Sequence, residues 1–170
     1  YSAPAYQPRV LNDADTAAFR QGLTAARARD VGGARLAMSQ INDPTARKLV
    51  EWALIDTAAN QMAYVELAQA APAMARWPRG DSRRSATELS LDLSGAGPDA
   101  ALALFADAPP TTVQGAVALA DAYEQRGRRD EAQRLIRDWW RTRSFEEPQQ
   151  TRILNRWSAW LTTEDHDARL

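Results

Sequence analysis

The segment from Val113 to Arg143 has the pattern of one complete helix–turn–helix unit, and it restricts the chain to a narrow set of folds. Apolar or small residues fall at Val113, Ala116, Ala120 and Tyr123, then at Ala132, Leu135, Ile136 and Trp139. Both runs follow the i, i+3/i+4, i+7 spacing of a helix with one buried face. Between them lies Gln125-Arg126-Gly127-Arg128-Arg129, with Gly127 placed to end the first helix in a left-handed cap. Two helices joined this tightly cannot cover their own apolar faces. The unit therefore demands neighbours on either side.

The spacing of Leu119-Ala120, Tyr123 and Ala132 overlays the small and large positions of a tetratricopeptide-type repeat. The remaining sequence parses into further pairs of about thirty residues, the size of such repeats. Asn12 is a predicted N-cap, with Asp13 and Asp15 in the first turn, where they suit the helix dipole. That helix runs to about Ala28, and a short partner spans Val31 to Gln40. Asp43-Pro44 is a second start signal, a cap followed by Pro at the first helical position. It opens a helix through Leu49, Val50, Leu54 and Ile55, whose partner runs from Met62 to Ala71 and ends at Pro72. Leu89, Leu91 and Leu93 alternate with polar residues as a strand would, but their helical surroundings favour a helix entered at Trp77-Pro78. Gly97-Pro98 starts a short helix that Pro109-Pro110 stops, and Thr111 with Gln114 forms a capping box for the helix at Val113. A last pair begins at Glu146-Glu147-Pro148, and Thr163 caps a final helix cut off at Leu170.

The expected fold is thus all-α. Stacked antiparallel helix pairs form a tetratricopeptide-like right-handed superhelix over residues 12–170, after a flexible Pro-containing linker over 1–11. A terminal repeat carries a polar outer face that closes the stack; the halt at Leu170 implies that more protein follows. The start at Tyr1 implies a removed leader or a trimmed chain.

Composition sets limits on function. Ala-rich sequence with few β-branched residues favours closely packed helices. A formal net charge of −1 supplies no general attraction to nucleic acid or anionic membrane. Lys48 is the sole lysine among 21 basic residues, so arginine carries the positive charge. Without cysteine there is no disulfide, thiolate metal site or cysteine nucleophile. No apolar run is long enough to span a bilayer.

Several of these segments together resemble a known region. Asn12-Asp13-Ala14-Asp15, the hairpin ending Asn42-Asp43-Pro44, Trp77-Pro78, the hairpin at 113–143 and, most specifically, Leu161-Thr162-Thr163-Glu164-Asp165-His166-Asp167-Ala168-Arg169-Leu170 are similar to the N-terminal α-superhelical part of the soluble lytic murein transglycosylases of Gram-negative bacteria. The resemblance covers most of the chain. It implies a periplasmic parent enzyme that cuts the MurNAc–GlcNAc β-1,4 bond of peptidoglycan to leave 1,6-anhydro ends. Its catalytic domain would sit C-terminal to a helical superstructure. The family's Glu-Ser pair and its Gly-x-Met-Gln-Leu-Met-Pro-like signature are both missing here. No catalytic residue carries over, and the chain alone is expected to be a non-catalytic scaffold that engages peptidoglycan, cell-wall or division proteins. The alternative is a free-standing tetratricopeptide-like adaptor that binds peptides on its concave face.

Two clusters are candidates for binding glycan or partner. Trp139 and Trp140 project about 100° apart on a helix, so one is expected in the core and the other at a repeat junction or in a groove beside Arg137, Arg141 and Arg143. Trp rings stack on sugar faces and Arg pairs with carboxylates; inter-repeat packing with a solvated Arg edge accounts for the same residues. Arg76, Arg79, Arg83 and Arg84 gather near a helix start, where the dipole disfavours cations. An anionic partner, or ion pairs to Asp81 and Glu88, would each explain them. Glu164-Asp165-His166-Asp167 is a helix N-terminus, not a metal cluster, since consecutive residues in one turn cannot converge on one ion. Gly95-Ala96-Gly97-Pro98 lacks the Lys-Ser/Thr pair of a phosphate loop. No metal or cofactor is expected.

Overall fold

The computed structural model describes residues 10–169, so the expected linker over 1–11 falls, except for Val10 and Leu11, outside the described residues. Those residues form ten α-helices and two short 3-10 turns, with no strand among them. The chain divides into two compact units, one ending at Met62 and the other starting at Ala63.

In the first unit, α1 (Asp13–Arg27), α2 (Val31–Gln40) and α3 (Pro44–Ala58) each pack on the other two. Asn12 begins α1 as expected: its side-chain oxygen accepts from the Asp15 N–H at 2.7 Å. The buried stripe of α1 is small, made of Ala18, Gly22 and Ala26 beside Asp15, which lets the helices approach closely. A Cβ at Gly22 would lie 2.8 Å from a Val50 methyl and 3.3 Å from Ala37 Cβ. Asp43 caps α3 by accepting from the Ala46 N–H at 2.9 Å, with Pro44 in the first turn. Asp15 reaches out of its own helix. Its carboxylate is buried and accepts from the Asn42 and Asp43 N–H groups, each at 2.9 Å. The loop that launches α3 is thereby fastened to α1.

The second unit contains α4 (Tyr64–Ala73), α5 (Gly80–Ser94), α6 (Pro98–Leu104), α7 (Val113–Gln125), α8 (Arg129–Thr142), α9 (Glu147–Trp157) and α10 (Thr163–Asp167), with a 3-10 turn at Ser158–Trp160. Helix α7 is its centre. One face gives Leu119 and Ala122 to a cluster with Tyr64, Leu91, Ala101 and Phe105. The other gives Val117 and Ala120 to a cluster with Ala132, Ile136, Trp140, Ile153, Trp157 and Trp160. The α7–α8 hairpin turns at Gly127, whose φ of 73° is the left-handed value the sequence requires.

Some expected boundaries move, for local reasons. The leucine alternation belongs to a helix: positions two apart differ by about 200°, so Leu91 is buried while Leu89 and Leu93 face outward. Helix α4 continues past Pro72 to Ala73, since one lost hydrogen bond in a final turn is tolerable. Helix α6 ends at Leu104, well before Pro109-Pro110, and Phe105 turns into the core. Thr112 caps α7, accepting from the Gly115 N–H at 3.0 Å. Thr111 was the expected cap, but its N–H and hydroxyl are turned to Glu88. Thr162, not Thr163, caps α10.

Candidate functional site

The two candidate clusters both lie in the second unit, and internal structure occupies much of each. In the first, α8 carries Arg137, Trp139, Trp140, Arg141 and, just past its end, Arg143. The adjacent tryptophans are both buried, Trp139 at 6% and Trp140 at 2% exposure. Of the two alternatives for the second ring, a repeat junction or a groove, this burial favours packing. Trp140 joins the cluster shared with α7 and α9, with Phe145 stacked at 5.7 Å and His166 edge-on at 5.4 Å. Arg169 lies over the same ring, 4.3 Å from its centroid. Trp139 is covered by Arg143, 4.7 Å from its centroid. Arg143 is exposed and remains the cluster's outward cation.

Arg137 and Arg141 converge on Asp165. Arg137 Nε donates to Oδ2 at 2.8 Å and Arg141 Nε donates to Oδ1. Oδ2 also accepts from the Thr162 N–H at 2.8 Å and from the Thr162 hydroxyl at 3.0 Å. The motif Leu161–Leu170 thus supplies a buried carboxylate that fastens α10 to α8. Burial opposes ionisation of Asp165, but Arg137, the Thr162 N–H, Arg141 and the Thr162 hydroxyl outweigh it and hold the carboxyl far below the usual carboxylate range. The two half-exposed guanidiniums are what cover this carboxylate. Because its folded pKa is depressed, its contribution is present above the unfolded carboxyl value of about 4 and is lost as pH falls below it. Wild-type protein should therefore lose thermal stability more steeply than Asp165→Asn between pH 5 and pH 2.5. Parallel melting curves for the two proteins would refute this.

The second cluster resolves differently. Arg83 is buried and donates to the carbonyls of Met74 at 2.8 Å, Trp77 at 3.0 Å and Pro78. It is close in sequence to the start of α5, yet it serves the C-cap of α4 at Met74, where the dipole favours a cation, and the turn that follows at Trp77 and Pro78. The supposed dipole conflict disappears. Arg84 donates to Glu88 at 3.1 Å and to the Leu104 and Ala108 carbonyls, and it lies over the Phe105 ring. Arg76 and Arg79 are exposed at the α4–α5 turn, with Arg79 at a φ of 63°.

Glu88 is the residue that sequence reasoning undervalued. It is fully buried. Its oxygens accept from the Thr111 and Thr112 N–H groups at 2.9 and 2.8 Å, and from both threonine hydroxyls at 3.1 and 2.5 Å. A Cβ at Gly115 would lie 2.8 Å from Glu88 Cδ, so the glycine is what makes room for the carboxylate. Asp15, Glu88 and Asp165 share one arrangement: a buried carboxylate accepts from the backbone N–H groups at or beside a helix cap. Such acids are committed to structure. Among the described residues, no three His, Asp or Glu side chains are grouped to hold a metal ion, and no helix is long and apolar enough to cross a membrane.

No family model matches the chain, and no similar curated protein or solved structure was found.

Proposed function

We propose that the chain is a non-catalytic scaffold segment of a periplasmic lytic murein transglycosylase. In this reading its helix pairs stack in a tetratricopeptide-like right-handed superhelix that positions the enzyme and engages murein or cell-wall proteins. The observation that carries the stacking is the double-sided burial of the α7–α8 hairpin. Its apolar residues are completed by α4, α5 and α6 in one cluster and by α9 and the Trp160 turn in the other, as a repeat inside an array requires. The murein assignment rests on the resemblance, and above all on Leu161–Leu170. The position of Asp165 in that motif supports it, because the residue has a defined task in joining α10 to α8.

The test uses purified murein sacculi. The chain is expected to sediment with sacculi above the level of an unrelated helical protein of similar charge, and to release no 1,6-anhydro-muropeptides. Sedimentation at the control level removes the murein scaffold and leaves the peptide-binding adaptor. Anhydro products would overturn the non-catalytic assignment.

A further inference from the structure

We draw no further inference here: the strongest candidate, the exposed apolar stripe that Leu89 and Leu93 form on the outward face of α5, carries none because nothing in the structure shows what covers it.

Discussion

Replacing Glu88 with alanine is expected to lower the unfolding free energy by about 3–5 kcal/mol, the cost of removing one partner from a buried charged network. The substitution would orphan the Thr111 and Thr112 N–H groups, two hydroxyls and one arm of Arg84 together. It would also free the segment that launches α7, the helix serving both apolar clusters of the second unit. Glu88→Gln should recover only part of the loss. Its amide nitrogen would bring donors to a place already lined by donors. Urea unfolding followed by circular dichroism measures both variants. A cost under about 0.5 kcal/mol for Glu88→Ala, within the range of an ordinary surface change, would show that the loop is held by something else.

Trp140→Ala should be comparably severe, at about 3–5 kcal/mol, as for other large-to-small changes of buried aromatic residues. The ring is 2% exposed and touches Phe145, His166 and Arg169, so its removal opens a cavity and loosens α10 as well. Trp140→Phe provides the internal control. The indole Nε1 is buried without an acceptor, so phenylalanine forfeits ring volume but no hydrogen bond, and its cost should be clearly smaller. Equal losses for the two variants would mean that the site collapses around either side chain. The glycan-stacking role considered for Trp140 would predict the opposite pattern, with lost binding and an intact fold.

Much of the fold was legible because caps and periodicity are local properties. Asn12, Asp43-Pro44 and Gly127 mark boundaries through their own backbone preferences, and the structure uses all three as marked. Errors came where a residue's choice depends on something distant. Thr111 and Thr112 are equally good caps in isolation; Glu88, more than twenty positions earlier, decides between them. Arg83 looked misplaced at one helix start because the carbonyls it satisfies, those of Met74, Trp77 and Pro78, belong to the cap and turn that follow the preceding helix. For the second of Trp139 and Trp140 the choice between a repeat junction and a groove stayed open, since adjacency alone cannot show that Arg143 and Arg169 cover the rings. The ion pairs of Asp92 with Arg152 and of Asp121 with Arg156 had no sequence signature, since their partners come from α5, α7 and α9 and only folding brings them together.

The two-sided packing of α7 has a consequence for how the second unit comes apart. Helical arrays can unzip from an end, one module at a time, because each module touches only its neighbours. Here a single rod donates alternate flanks to both oily clusters, and Tyr123 and Leu135 border each of them. Peeling away either side would strip α7 of half its support, so loss of one flank is expected to loosen the other.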